Sequence, residues 1–334
     1  MKTEETAVKS GKIVKIDDSD KKLLSLLELN GRESFKNLAR RLGVSQGTAK
    51  YRLKRLEETG VISGYLVVPD VSAIGYSYFK LFANFSSPSS AAQKQFTEWV
   101  KARKTVAWFS RLDGPYSIGI SFLAKNSSDA QKELDELFEK WGDHLSNRKI
   151  VVNLKGAYLV PRLFGSSEKT QAVGYASTHS DTPIKLDEPA KALLYQLTLN
   201  PRAPTTELAR LSHLTSDTAL LRMKWLREKG ILQGIVVRVD SRKIGQFHYK
   251  VLLSLRNNKP SKRNEIFDFL TETPRVTYVI QTMGDWEIEF DVEVESPEHF
   301  RKFMDSMRSK FGRDIEEYTP LYVYEVVKYQ LYAV

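Results

Sequence analysis

The chain has 334 residues, with 51 Lys and Arg against 41 Asp and Glu, a formal net charge of +10 and no cysteine. A hydrophobic fraction of 41% with 11% aromatics excludes a disordered chain, and the lack of cysteine excludes disulfides and thiolate metal sites. No apolar run reaches the length of a membrane span and MKTEETAVKSGK lacks a signal-peptide core, so the expected location is the cytoplasm. The positive balance favours polyanionic partners, nucleic acid first.

Residues 1–15 read as a flexible tail. From 16 to 70 the periodicity predicts three helices and a short β wing, a winged helix-turn-helix. DKKLLSLLEL sets Leu23, Leu26 and Leu27 on one face, with Asp18 or Ser19 as its cap; SFKNLARRLG ends at Gly43; Ser45 caps the third helix; and Gly60 opens the strand-like GVISGYLVV. Residues 71–164 read as βαββαβ, with a turn at Asp113–Gly114–Pro115, the order of a ferredoxin-like sandwich. Residues 165–185 are polar, Ser/Thr-rich and aperiodic, and read as a flexible linker with a relaxed span of about 25 Å.

The remainder repeats the beginning. NLARRLGVSQGTAKYRLKRLEETGVISG aligns with ELARLSHLTSDTALLRMKWLREKGILQG, and the offset holds without a gap from Ile16 and Leu186 to Phe164 and Val334. About a third of positions are identical in the N-terminal part of each copy. Residues 186–240 are therefore a second winged helix-turn-helix and 241–334 a second regulatory sandwich. The fold class expected is α+β, one two-part unit used twice.

The third helix carries the functional signal. With Ala49, Leu53 and Leu56 inward, its outer face holds Gly47, Lys50, Tyr51, Lys54 and Arg55, flanked by Gln46, Thr48 and Arg52. Lys and Arg neutralise phosphates or reach guanine edges, Gln pairs with adenine, and Tyr packs on sugar or a thymine methyl. Lys36, Arg40 and Arg41 on the preceding helix, with the capping Ser45, are candidates to hold the backbone of double-stranded DNA. The plainer alternative is a solvated basic face on an ordinary helix. In the second copy Ala219, Met223 and Leu226 point inward, but Asp217 replaces Gly47, Leu220 replaces Lys50 and Trp225 replaces Arg55, with Leu221 beside them. Leu220, Leu221 and Trp225 suit a protein contact better than phosphates, though both helices binding different DNA sites stays open.

With IDDSDKKLLSLLELNGR, LARRLGVSQGTAKYRLKRLEETGVISGY, LDGPYSIGI, LDEPAKALLYQLTLNPR and MGDWEIEFDV on view, the chain resembles the Lrp/AsnC (feast/famine) transcription regulators. The resemblance implies dimer formation through the regulatory sheets and binding to pseudo-palindromic promoter DNA. It also implies, as in some members, a small effector such as an amino acid at the turn between the second and third regulatory strands. That turn holds Asp113, Gly114, Tyr116 and Ser117 in the first copy and Gly284, Asp285 and Glu287 in the second. The family's Gly-Asp-x-Asp is lost in the first and half kept in the second; a tight turn needing positive φ accounts for both glycines as well. Two copies in one chain imply a pseudo-dimer within the chain, a homodimer of chains, or both.

Two rivals remain. Siroheme decarboxylases resemble the same architecture, but the positions matching their His-bearing motif read Ala107–Trp108–Phe109 and Thr277–Tyr278–Val279. The five histidines are scattered, and no nucleophile motif or Gly-rich phosphate loop appears, so no catalytic residue, metal or cofactor is expected. The other rival is a co-regulator whose helices contact only protein. The C-terminal Tyr318, Tyr322, Tyr324, Tyr329 and Tyr332 fit strand alternation in a packed sheet better than a base-stacking stripe.

Overall fold

The computed structural model describes residues 13–86, 89–160, 172–177 and 182–332. The first head comprises α1 (Asp18–Leu29), α2 (Phe35–Leu42) and α3 (Gln46–Glu58). Asp17 and Asp20 form a reciprocal capping box at the start of α1, satisfying two backbone donors that a helix start otherwise leaves open. Leu23, Leu24, Leu27, Leu38, Leu53 and Leu56 close the core between the three helices. The second head repeats it with α6 (Glu188–Leu199), α7 (Thr205–Leu211) and α8 (Ser216–Glu228).

The wings depart from expectation. Each head contributes one strand, β1 (Ile62–Pro69) and β7 (Leu232–Val239), and the two pair antiparallel with each other. The reason is backbone satisfaction: the next strand of each copy belongs to a regulatory sheet, so the wing finds its partner in the other copy. The cores are exchanged with it. Val237 of β7 closes the core of the first head, and Leu66, Val67 and Val68 of β1 belong to the core of the second.

The first regulatory unit runs β2 (Ser77–Phe85), α4 (Ser90–Ala102), β3 (Val106–Asp113), β4 (Ile118–Ala124), α5 (Ser127–Trp141) and β5 (Leu145–Leu159). The second runs β8 (Phe247–Leu255), α9 (Pro260–Glu272), β9 (Val276–Met283), β10 (Ile288–Val294), α10 (Pro297–Phe311) and β11 (Ile315–Tyr329). Strand orders β5-β2-β4-β3 and β11-β8-β10-β9 are ferredoxin-like. The two sheets are joined at both ends. β5 pairs with β2 over its first half and with β9 over its second, while β11 pairs first with β8 and then with β3. Eight antiparallel strands thus close on themselves into one ring. The chain is its own pseudo-dimer.

Helices cover the outside of the ring, over Leu81, Phe109 and Phe122 on one side and Val251, Phe290 and Val292 on the other. The inside is apolar at one end, with Phe82, Trp108, Trp286 and Leu321, and charged further along. Lys80 meets Glu289 at 2.5 Å, Trp286 Nε1 donates to the same carboxylate at 3.0 Å, and Lys250 contacts Asp291. Burial pulls the Lys80 ammonium down to about 8 while Glu289 pulls it back up, and Lys250 beside the buried Asp291 holds that carboxyl far below its ordinary range.

The expected linker holds a strand, β6 (Ala172–Ser177), which pairs with β5; residues 165–171 and 178–181 lie outside the described residues. Backbone pairing overrides the polar composition there. Of the expected tail, residues 1–12 lie outside the described residues, and Val14 N–H donates to the Lys243 carbonyl at 2.7 Å. No helix among the described residues is long and apolar enough to cross a membrane.

Lys80→Met removes the nearer of the two lysines from Glu289, leaving Lys250 at 3.8 Å, and is expected to lower unfolding free energy in urea by about 3 kcal/mol. Adding Glu289→Gln, which retains an acceptor for Trp286, should recover most of that loss.

Candidate nucleic-acid interface

Ser45 accepts from the Thr48 N–H at 3.1 Å and starts α3, and Gly43, at φ +72°, ends α2 so that the two helices cross. Ala49, Leu53 and Leu56 are buried, which turns the opposite side of α3 to solvent. Gln46, Gly47, Thr48, Lys50, Tyr51 and Lys54 are exposed there, Tyr51 at 68%. Lys54 makes an exposed pair with Glu58 at 3.4 Å, which is worth little and leaves its charge available. Lys36, Arg40 and Arg41 are exposed on α2. Lys36, Arg40, Arg41 and Lys50 form no ion pair with a described residue.

Arg52 and Arg55 do not belong to that free face. Arg52 Nη1 lies 2.8 Å from both Asp17 and Asp20, and Arg55 also contacts Asp20. Asp20 is fully buried, so its carboxylate requires these cations; they hold α3 against α1. The hydrogen bond from Arg52 is the main influence holding the Asp17 carboxyl below its ordinary range.

The second head solves the same contact differently. Asp20 corresponds to Ala190 and Arg55 to Trp225, and both replacements belong to one apolar cluster. Trp225 is thus half-buried and packed, correcting its expected place on the outer face. Leu220 and Leu221 are exposed at 60% and 67%, and Asp217 is exposed beside them. Arg222 pairs with Asp187 at 2.5 Å, the counterpart of Arg52 with Asp17.

A reciprocal contact that the sequence reading missed ties the heads together. Arg32 donates to the carbonyls of Pro201 and Ala203 at 2.7 and 2.8 Å, and Arg202 donates to those of Gly31 and Glu33. These arginines occupy equivalent positions in NGR and NPR, which was the available signal.

The turns proposed for an effector are occupied by packing. Gly114 and Gly284 have φ of +138° and +152°, and a Cβ on either would meet Leu321 or Val151 within 3 Å. Tyr116 is buried against Phe82 and Trp286. Asp113 is exposed and in register with Tyr322, Ser117 Oγ accepts from the Phe85 N–H, Asp285 takes Lys149 at 2.7 Å, and Glu287 accepts from the Leu255 N–H. Among the described residues, no group of three His, Asp or Glu side chains is arranged to hold a metal.

The winged helix-turn-helix DNA-binding family model matches residues 16–63 and again 186–233. Two curated relatives are HTH-type transcriptional regulators. Ptr1 of Methanocaldococcus jannaschii is 33% identical over 78 residues, 23% of this chain and 53% of Ptr1. LrpA of Pyrococcus horikoshii is 39% identical over 62 residues, 19% of this chain and 44% of LrpA. The chain thus spans about half the length of these relatives. The two matched segments coincide with the two heads. The siroheme decarboxylase NirDL has the same duplicated fold: TM-score 0.58, covering 95% of this chain and 94% of NirDL, at 14% identity. That likeness concerns architecture alone.

Replacing Asp20 by Ala is expected to destabilise the first head by about 3 kcal/mol, because Arg52 and Arg55 lose their buried partner. Asp20→Ala with Arg55→Trp, which copies the second head into the first, should cost measurably less in thermal unfolding, giving a coupling energy above about 0.5 kcal/mol.

Proposed function

We propose that the chain is a tandem Lrp/AsnC-like transcription regulator that binds double-stranded DNA sequence-specifically, reading the major groove with α3 of the first head. The observation that carries the reading is the contrast between two equivalent helices. α3 turns Lys50, Tyr51 and Lys54 to solvent with Gln46 and Thr48 at its N-terminal turn, whereas α8 presents Leu220, Leu221 and Asp217. Lys36, Arg40 and Arg41 supply phosphate contacts that fix the register. On this reading Arg52 and Arg55 position α3 from behind. The second head contributes packing, and Leu220 with Leu221 suits a protein contact, because an exposed Asp at a helix start is repelled by phosphate.

The co-regulator reading, in which neither head touches DNA, is disfavoured by the unpaired basic face of α2 and α3. The catalytic reading has the fold of NirDL in its favour, but no histidine stands at Ala107–Trp108–Phe109 or Thr277–Tyr278–Val279. Pairing of whole chains would bring two copies of α3 to adjacent grooves one helical turn apart.

Selection of bound DNA from a random pool tests the proposal. Wild type is expected to enrich one motif, and Lys50→Ala with Lys54→Ala to lose it, at about 1–3 kcal/mol per base-reading contact. Lys224→Ala on α8 should leave affinity within about twofold at constant salt. An unchanged motif in the double variant would transfer the chain to the co-regulator class.

A further inference from the structure

Away from the basic face, a cavity of about 260 Å³ opens where the first head meets the second regulatory sheet. Glu28 enters from α1, Arg238 and Asp240 from β7 and its end, His248 from β8, and Asp291 and Glu293 from β10. Tyr158, Tyr278 and Tyr329 complete the wall. The space suits a small metabolite rather than a single water.

The charges around it are satisfied except at one place. Arg242 grips Asp240 through two hydrogen bonds of 2.8 Å. Asp291 accepts from His248 at 3.0 Å and from Lys250. Glu325 pairs with Arg111 at 3.3 Å, and the Arg238 guanidinium lies over the Tyr329 ring at 5.3 Å. Glu28 has no such partner among the described residues, and Glu293 accepts a hydrogen bond from Ser241. They are 3% and 8% exposed, and each keeps a buried carboxylate oxygen without a hydrogen bond. Burial first and the facing Glu293 second push the Glu28 carboxyl up to about 8. Burial also pushes Glu293 up to about 7, against the pull of His248. Two buried acids that raise each other's cost of ionisation, each with an oxygen left unsatisfied, are an arrangement that folding alone does not favour.

The duplication supplies a control. At the equivalent junction Glu28 becomes Thr198, Glu293 becomes Leu123, Asp291 becomes Ser121 and His248 becomes Tyr78. Protein fills that place: Leu331 and Tyr332 are buried there, the Tyr78 hydroxyl donates to the Leu331 carbonyl at 2.7 Å, and the Thr198 hydroxyl reaches the Tyr332 carbonyl at 2.9 Å. Among the described residues, one junction is closed and satisfied, while the other keeps a cavity and two carboxylate oxygens without a hydrogen bond; Pro161 and Arg162, the counterparts of Leu331 and Tyr332, lie outside the described residues.

We infer that the open junction is a binding site for a small alkylammonium compound, whose N–H donors bridge Glu28 and Glu293 while its carbon chain lies against Tyr158 and Tyr278. An ammonium offers three donors and no acceptor, matching oxygens that only accept, and the rings add cation–π attraction. The site lies on α1, the helix whose Asp20 anchors Arg52 and Arg55, so its occupant adjoins the support of the reading helix.

The test is calorimetric titration of the full chain, without DNA, using 1,4-diaminobutane as probe and butane-1,4-diol as its uncharged analogue. At pH 8.5 the diamine is expected to bind saturably, one per chain, and the diol not to bind. At pH 6, where both acids are protonated and the diamine stays charged, affinity should fall by at least about tenfold. Glu28→Gln with Glu293→Gln keeps the shape, removes the charge, and should lower affinity by at least about tenfold at pH 8.5. If that variant does not fold, the diol and pH comparisons on wild type decide. Absence of saturable diamine binding to wild type, equal binding of the diol, or equal binding by a folded double variant would overturn the inference. None of these results bears on DNA reading by α3.

Discussion

The two long strands β5 and β11 are the constraint on which everything else rests. Each begins in its own sheet and ends in the other copy's sheet, so neither regulatory unit has a complete set of backbone partners alone. Closing the ring places charged residues of β2, β8 and β10 inside a space that water barely reaches, and Lys80, Lys250, Glu289 and Asp291 must neutralise one another. The wing ribbon repeats the principle one layer up, where β1 and β7 finish each other's heads and Arg32 and Arg202 exchange backbone contacts. The first head is therefore fixed to the second head and, through it, to both sheets.

Within this near-symmetric frame the copies have diverged at particular pairs of equivalent residues. The ion pair between Asp20 and Arg55 has become the apolar pair Ala190 and Trp225, a change that conserves the packing of helix on helix. Lys50 has become Leu220, which changes what the outer face can attract. Glu28 and Glu293 have become Thr198 and Leu123, which converts an open polar junction into a filled one. A single-copy homodimer cannot separate these roles, because any change appears in both halves. Fusion removes that restriction and keeps the pairing at high effective concentration.

Much of this was legible in the residues. Leucine spacing, the Ser45 cap and the gap-free repeat specify two three-helix heads and two βαββαβ units, because these signals act between neighbours in sequence, although α1 is capped by Asp17 rather than by the expected Asp18 or Ser19. The buried stripe of α3 followed from the same spacing, and so did the contrast with α8. What was not legible involves pairs far apart in the chain. Arg52 and Arg55 look like groove-facing cations until Asp17 and Asp20 are brought beside them. Each wing reads as a short β element of its own head until β1 meets β7, and part of a polar connector becomes β6 because β5 presents an open edge.

The sequence by itself determined which segments are helices and strands, that one fold is used twice, and that only one third helix keeps a basic outer face. These follow from periodicity and side-chain type, which short windows contain. Only the tertiary structure decided that the copies exchange strands, which arginines serve as struts, and that Glu28 of one domain and Glu293 of another face a shared cavity. Those outcomes depend on residues 32, 35, 169 or 265 positions apart being brought into one dielectric environment, and burial, not residue type, then sets what each charge must find.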